Sequence, residues 1–523
     1  MNQTRWWLCT VAVASMCGCS GGAKEPPSPD QPIADAKNKD LQLNQRIKAL
    51  EQTWAGAKDD PARLPAARDA MKDVLWKGGA PSPLRQRALA LLLEDESAAG
   101  MADTRNMLRL RMPTEGQWQV LVEMCEAVQK RAGDAAWKEM TAALVRSYAR
   151  KVPVPPDPDR PERVALVALY PNTDLTAVVY EVFVQPRENG APARPDDYVE
   201  KARTAAWDLL GRLDPDGSKR TALIAADNRD EAALRELTKS ARELGVTPLT
   251  GSELSWLRNV SNAKDAKNAA WWGETVKAIA ALTPEQKTGL AFRHLEAVRW
   301  AAAHNSEWSR ASKEALFAEL SGRLKDRKMW RKADPSDTGQ VPRETLKDWQ
   351  GELAWGDLLV MLVLDDALRE PAIRAELFRQ AESDMADEST EHGGAMWAKE
   401  QVPTAVIATS GKDASRDAGA GIGEQFVVRG FPPRPAQRVN DRTFVASDEM
   451  FQQSGRALAH YHFHLQTSNN ADYAGPGRGD FEYADMHGRS CLVLTSVRKG
   501  VLNIDYYQRG GAVVDLGEIV EGK

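Results

Sequence analysis

The chain of 523 residues contains only five cysteines and seven histidines. Three of the cysteines, Cys9, Cys17 and Cys19, stand at the extreme N-terminus, so no disulfide framework is expected in the folded part of the chain. Basic residues do not exceed acidic ones, 69 against 74, and both signs are spread along the sequence. A basic surface of the kind that binds nucleic acid is therefore excluded, and we expect no nucleic-acid partner.

Several enzyme signatures are also missing. The sequence contains no P-loop, no Gly-x-Ser-x-Gly motif and no dinucleotide-binding glycine pattern. These absences argue against the nucleotide-binding and serine-hydrolase classes that such motifs identify.

The N-terminus has the layout of a signal peptide. A short apolar run, Trp6–Ala14, follows the positive charge of Arg5 and is too short to span a bilayer permanently. Gly18 precedes Cys19, as a small residue precedes the acylated cysteine of a bacterial lipobox. We therefore predict a lipoprotein signal peptide over residues 1–18 and lipidation of Cys19. An ordinary cleaved signal or an apolar anchor is the alternative.

Lipidation of this kind has a consequence for location. An acylated cysteine carries two or more chains, which is enough for stable anchoring. The predicted address is the bacterial cell envelope, with the protein anchored to a membrane and facing the periplasm or the exterior.

Three segments of different composition follow the signal peptide. Residues 19–38 are rich in proline, glycine and charged residues and predict a flexible tether. Residues 39–385 carry short amphipathic stretches separated by turns, which predicts an all-α region and favours a HEAT-like α-solenoid. In residues 386–523 glycine becomes dense and strand patterns alternate with short helices, which predicts a C-terminal α/β domain. The chain is thus expected to be multidomain.

Local patterns give more detailed expectations. Within the helical region, the β-branched content of residues 164–184 favours a small α/β insert. In the C-terminal domain, strands are predicted at 402–407, 424–428, 459–465, 491–495 and 501–507, and helices at 447–457 and 480–487.

Histidine is concentrated in the C-terminal domain. Five of the seven lie after residue 390, and His460, His462 and His464 alternate along one predicted strand. Alternate residues of a strand point to the same face, and neighbouring neutral imidazoles are suitable zinc ligands. A His-x-His pattern alone more often marks surface or hydrogen-bonded histidines than a metal site, so a further ligand is needed.

Asp480 is the candidate for that ligand. With Gly477 as the N-cap of a predicted helix, Asp480 takes the third helical position, where the first turn fixes its carboxylate. Two histidines and one aspartate would leave the fourth tetrahedral position open to water, as in catalytic zinc sites. Two alternatives stay open: Asp480 is an ordinary helix-start acid, or His460 completes the site and Asp480 is dispensable.

These residues resemble the JAMM (MPN-type) family of zinc metallopeptidases. Tyr461–His464 resembles the family's His-x-His segment, and Gly477–Asp480 resembles its Ser-x-x-Asp segment with the serine replaced. Upstream, Glu391–Gly394 resembles its Glu-x-Gly-Gly segment. The resemblance covers roughly residues 385–523, about a quarter of the chain, and implies an α/β domain of the cytidine-deaminase-like fold.

The resemblance also implies roles. His462, His464 and Asp480 would bind zinc, and Glu391 would act as general base, taking a proton from the zinc-bound water and passing it to the leaving amine. Glu424 also begins a predicted strand and is the alternative general base. The two glycines that follow Glu391 favour Glu391.

Three departures separate this chain from the family pattern. The serine that supports the oxyanion is Gly477 here, and loss of such a hydroxyl slows a reaction by about 10²–10³-fold. Thr467 and Ser468 are the candidates to replace it. The usual proline after the second histidine is Leu465, and residues 465–476 form a longer loop than is usual.

Two functions are compatible with these patterns. The first is an envelope-anchored zinc peptidase or isopeptidase that acts on an envelope protein or peptide. The second is a non-catalytic lipoprotein whose helical region binds a partner and whose JAMM-like domain is degenerate or holds a structural zinc. The ligand set favours the first function, whereas Gly477 and the long helical region favour the second.

Overall fold

A computed structural model describes residues 31–150, 157–186, 196–215, 217–330, 343–404, 406, 420–440, 442–467 and 469–522. The chain forms two compact units, one ending at Met140 and the other beginning at Thr141. The predicted succession of a helical region and a C-terminal α/β domain is confirmed. No helix in the described ranges is long and apolar enough to cross a membrane.

The first unit is helical in its described part. Its helices are α1 Gln31–Lys37, α2 Leu43–Ala55, α3 Leu64–Trp76, α4 Ser82–Leu93, α5 Ala98–Arg111 and α6 Trp118–Lys130, with 3-10 turns at Met112–Thr114 and Ala135–Met140. The fully buried Arg85 of α4 is paired with Glu115 and donates to the carbonyl oxygen of Leu75. These partners compensate a charge that lies out of contact with water.

The second unit begins with fourteen described helices. They are α7 Thr141–Ala149, α8 Pro161–Leu169, α9 Leu175–Val184, α10 Asp196–Leu213, α11 Ser218–Ala226, α12 Ala232–Glu243, α13 Gly251–Val260, α14 Ala266–Ala280, α15 Pro284–Lys287, α16 Leu295–His304, α17 Ser306–Arg310, α18 Lys313–Leu324, α19 Trp355–Arg369 and α20 Pro371–Met385. Helices α7 to α20 therefore share one compact unit with the C-terminal sheet.

Helix α19 forms the centre of this helical layer. Thirteen of its 15 residues are buried, because its sequence is apolar on every side, as expected for a helix surrounded by protein. It packs against α16, α18 and α20. Its Asp357 accepts hydrogen bonds from Arg293 at 2.9 Å and from the buried His294 at 2.7 Å, so that this buried carboxylate is satisfied.

The α/β insert predicted for residues 164–184 is wrong. The chain forms α8 and α9 there. Asp174 caps α9 by accepting a hydrogen bond from the N–H of Thr176 at 2.8 Å, and Val179 and Phe183, four residues apart, are both buried. A cap and a helical burial pattern outweigh the strand propensity of the β-branched residues.

A seven-stranded mixed sheet organises the C-terminal residues that the structure describes. The strands are β1 Gly393–Ala398, β2 Ala420–Ile422, β3 Phe426–Gly430, β4 Ala459–His464, β5 Cys491–Arg498, β6 Val501–Tyr507 and β7 Val513–Val520. Their order is β2-β3-β1-β4-β5-β6-β7. Only β4 and β5 pair in parallel among the described strands, and α20 packs against β2 and β3.

The strand predicted at residues 402–407 is wrong in its described part. A 3-10 turn, Lys399–Gln401, precedes Val402, and residues 404 and 406 are helical. Val402 and Val406 are both buried in one core cluster, a spacing of four residues that a helical turn also brings to one face. Ile407 lies outside the described residues. The strand is instead β1, just upstream, which the sequence pattern did not indicate.

The parallel pair positions the candidate site. The chain leaves β4, forms the helix Arg478–His487, and returns into β5 beside β4. We call this helix the site helix. Two parallel neighbours need such a crossover, and it brings the start of the helix to the end of β4, where His464 lies.

Two glycines allow the close packing of β1. Gly393 lies opposite His462 and Gly394 opposite Tyr461 across the β1–β4 ladder. A methyl group at Gly394 would collide with the backbone oxygen of Arg429 and the ring hydroxyl of Tyr461. This strand therefore requires glycine for lack of space.

Gly394→Ala is expected to lower the free energy of unfolding by about 1–3 kcal/mol, the usual cost of overpacking a core. Denaturant unfolding followed by tryptophan fluorescence measures this. Gly479→Ala is the matched control, because a methyl group there meets no atom within 4 Å. Equal unfolding midpoints for Gly394→Ala and the wild type would contradict the packing argument.

Candidate metal centre

His462 and His464 project side by side from the end of β4. Their Nε2 atoms are 3.3 Å apart, and His462 is almost completely buried. The ring of Phe444 stacks on His462 with the centroids 5.1 Å apart, and the Tyr507 hydroxyl lies 3.4 Å from His462 Nδ1. These contacts hold the imidazole with its Nε2 atom turned towards His464.

The site helix brings Asp480 to the same two nitrogens. Asp480 Oδ1 lies 3.1 Å from His462 Nε2, and Oδ2 lies 3.5 Å from His464 Nε2. The N–H of Gly477 donates to Oδ2 at 2.6 Å, so the first helical turn fixes the carboxylate. Burial alone would raise the pKa of Asp480, but the adjacent histidines hold it far below its usual range.

Glu391 approaches the two histidines from the segment that leads into β1, the strand that pairs with β4. It lies two residues before β1 and is buried. One carboxylate oxygen of Glu391 and one ring nitrogen each of His462 and His464 lie within 4.8 Å of one another. Gln466 Nε2 donates to Glu391 Oε1 at 3.2 Å. The two imidazoles therefore face carboxylates from two separate parts of the chain.

The alternative general base, Glu424, is placed elsewhere. It is exposed in the turn between β2 and β3 and does not line the cleft beside the histidines. The structure thus brings Glu391, and not Glu424, to the ligand atoms.

His460 lies on the same strand but does not join the group. Its Nδ1 is 2.8 Å from the Tyr483 hydroxyl and its Nε2 is 2.9 Å from the Ser454 hydroxyl. Burial lowers the pKa of His460 well below its usual value, so the ring is neutral. With both nitrogens engaged, His460 connects β4 to the site helix, and the arrangement does not favour a metal site made of three histidines.

A cleft of about 770 Å³ opens onto these side chains. Glu391, His464 and Asp480 line it, together with the 465–476 loop and the outer face of the site helix. The candidate hydroxyl of Thr467 is engaged within the loop, donating to Asn469 O at 3.0 Å and Asn470 Oδ1 at 2.9 Å. The other candidate, Ser468, lies outside the described residues, as does the lipidation residue Cys19.

The donor set fits a zinc ion. In a tetrahedral site with Zn–N distances of about 2.0–2.1 Å, two ligand nitrogens lie about 3.3–3.4 Å apart. The two Nε2 atoms have a separation of 3.3 Å, and Asp480 oxygens lie 3.1 and 3.5 Å from them. Imidazole with carboxylate is a zinc donor set, whereas calcium and magnesium prefer oxygen ligands alone.

Several contributors to the site were not identified from the sequence. Phe444 and Tyr507 come from other segments: the sheet brings Tyr507 of β6 to His462, and an isolated bridge to Glu391 holds Phe444. The sequence contained one signal for Gln466, because this residue continues the two-residue alternation of His462 and His464 and so is expected on the same face.

Comparison of the chain with protein-family models, curated proteins and solved structures finds no match.

Proposed function

We propose that the C-terminal domain is a JAMM-like zinc peptidase or isopeptidase of the cytidine-deaminase-like fold. His462, His464 and Asp480 are the proposed zinc ligands, and Glu391 is the proposed general base. The observation that carries this proposal is the spacing of the donor atoms, because the 3.3 Å between the two Nε2 atoms equals the separation of two nitrogens on one tetrahedral ion.

Each side chain has a defined task in this proposal. Zinc, when bound, acts as a Lewis acid and lowers the pKa of water towards neutrality. Glu391, beside the ligand atoms, accepts the proton of the attacking water and delivers it to the leaving amine. Gln466 orients the Glu391 carboxylate through its hydrogen bond of 3.2 Å.

The envelope location is part of the proposal. The signal peptide of residues 1–18, followed by Cys19, supports a lipid anchor. A protein anchored in the envelope would meet envelope proteins or peptides as substrates. Labelled fatty acid that is incorporated equally into the wild type and Cys19→Ala would contradict the assignment of the anchor.

A non-catalytic function is the second candidate. The observation in its favour is Gly477, which supplies no hydroxyl, while Thr467 is engaged within its own loop. In that case the helices, arranged as a HEAT-like solenoid, would bind a partner, and the zinc would be structural.

Metal-dependent hydrolysis separates the two candidates. We expect the purified protein to cleave unfolded protein substrates, to lose this activity on dialysis against a chelator, and to regain it when zinc is added back. His462→Ala, prepared in parallel, controls for a contaminating peptidase and is expected to be inactive under every condition. Zinc-loaded protein that cleaves nothing would favour the non-catalytic function.

A further inference from the structure

The cleft contains a cation that no described residue neutralises. Arg442 lines the cleft with an exposed side chain, and no hydrogen bond or ion pair engages its guanidinium within the described ranges. The other arginine of the cleft, Arg478, donates to Glu482 at 3.1 Å. Asn440 Oδ1 accepts a hydrogen bond from the N–H of Arg442 at 2.8 Å.

The same cleft also exposes apolar side chains. Tyr473, on the 465–476 loop, is 67% exposed, and Met486, on the site helix, is 49% exposed. Phe444, two residues from Arg442, is half-buried, lines the same cleft and stacks on His462. Large apolar groups that remain in water around a cleft are typical of a surface that binds a ligand.

We propose that the substrate of this site is a peptide that presents a carboxylate to Arg442 and a large apolar side chain to Phe444 and Met486. This inference rests on the proposed peptidase function and specifies its substrate class. Arginine suits this role because its planar guanidinium binds a carboxylate through two parallel hydrogen bonds.

Two sources can supply the carboxylate. One is the α-carboxylate of the peptide, which would make the enzyme a carboxypeptidase, and the other is an acidic side chain within a longer chain. In both cases the C–N bond breaks, the hydroxyl of water goes to the acyl carbon, and a proton goes to the amine. The source therefore decides where a substrate is cut and leaves the chemistry unchanged.

Binding and turnover of three matched peptides test the inference on the full zinc-loaded chain. All carry an N-terminal fluorophore and one phenylalanine. The first ends in a free carboxylate, the second in an amide, and the third in an amide with a glutamate next to the phenylalanine. Binding is measured by fluorescence anisotropy in the Glu391→Gln background, where hydrolysis does not interfere, and turnover is measured in the wild type.

We expect a peptide that carries the recognised carboxylate, either the free-carboxylate or the glutamate peptide, to bind about 10- to 100-fold more tightly than the plain amide, as hydrogen bonds to a charged group allow. Arg442→Gln is expected to abolish this preference. Arg434→Gln, an exposed arginine that does not line the cleft, is the matched control and is expected to retain it. Tight binding of the glutamate peptide alone would identify the side-chain source, and tight binding of the free-carboxylate peptide alone would identify the terminal one.

Different results would contradict carboxylate recognition and the proposed peptidase function. Equal affinity for all three peptides, or a preference that survives Arg442→Gln, overturns carboxylate recognition even when peptides are hydrolysed. A preference that depends on Arg442, without turnover of any peptide by the zinc-loaded wild type, supports carboxylate recognition and contradicts the peptidase assignment.

Discussion

Replacement of Glu391 by glutamine is expected to leave zinc bound and to lower kcat for hydrolysis by about 10²–10⁴-fold, the usual contribution of a general base. Glutamine keeps the shape of the side chain but cannot accept a proton from water. The Glu391 carboxylate is suited to this role because it lies beside the ligand nitrogens, and Gln466 is oriented to hold it.

Glu424→Gln is the matched control for this experiment, because Glu424 is an exposed acid outside the cleft. Its turnover is expected to equal that of the wild type. Elemental analysis of the Glu391→Gln protein decides the role of Glu391. If zinc is lost, Glu391 is a ligand, an arrangement that its closeness to both imidazoles also permits.

Gly477→Ser is expected to raise kcat, by up to about 10²–10³-fold, since a serine here would supply the hydroxyl that stabilises a developing oxyanion. The backbone conformation at position 477 is compatible with serine. Gly477 has φ −84° and ψ 179°, an extended conformation open to any residue, and a Cβ atom would meet only Asp480 Oδ2, at 3.6 Å. Serine is also a preferred N-cap, so the site helix is retained.

Gly477→Ala is the control for the gain in rate, because it fills the same space without a hydroxyl. Steady-state kinetics on one peptide compare the three proteins, and only the serine variant is expected to be faster. A serine variant no faster than the alanine variant would contradict the role assigned to position 477.

The helices of the second unit also contact the strand and the helix that carry the candidate metal ligands. The Tyr461 hydroxyl of β4 donates to Gln380 Oε1 on α20 at 2.6 Å, and Ser252 of α13 contacts His487 of the site helix at 2.7 Å. The strand and the helix that carry the ligands are thus each attached to the helical layer. Ligands held in this way need little reorganisation to bind a metal, as a preformed site requires.

The local parts of the site could be predicted from the sequence. The alternating histidines predicted the strand that is β4. Gly477 as the N-cap of the predicted helix placed Asp480 at the third helical position. Both patterns are short-range, because they depend on the strand period of two and on the capping of one helical turn. The strand predicted at 501–507 coincides with β6 for the same reason.

The elements and contacts that the sequence did not predict depend on residues far apart in the chain. β1 begins with two glycines, which have low strand propensity, and it is stabilised by its position between β3 and β4. The helix α9 has the composition of a strand but is capped by Asp174, and seven of its ten residues are buried against other parts of the chain. The stacking of Phe444 on His462 joins residues 18 positions apart, with Phe444 held by an isolated bridge to Glu391, and no local pattern encodes it.

The central claim is that His462, His464 and Asp480 hold one zinc ion, and metal content tests it most directly. Elemental analysis of the purified chain is made on the wild type, His462→Ala and His304→Ala, the last being a partly exposed histidine outside the site. We expect about one zinc per chain in the wild type and in His304→Ala, and none in His462→Ala. Absence of zinc from the wild type, both as purified and after reconstitution, or its retention in His462→Ala, would contradict the claim.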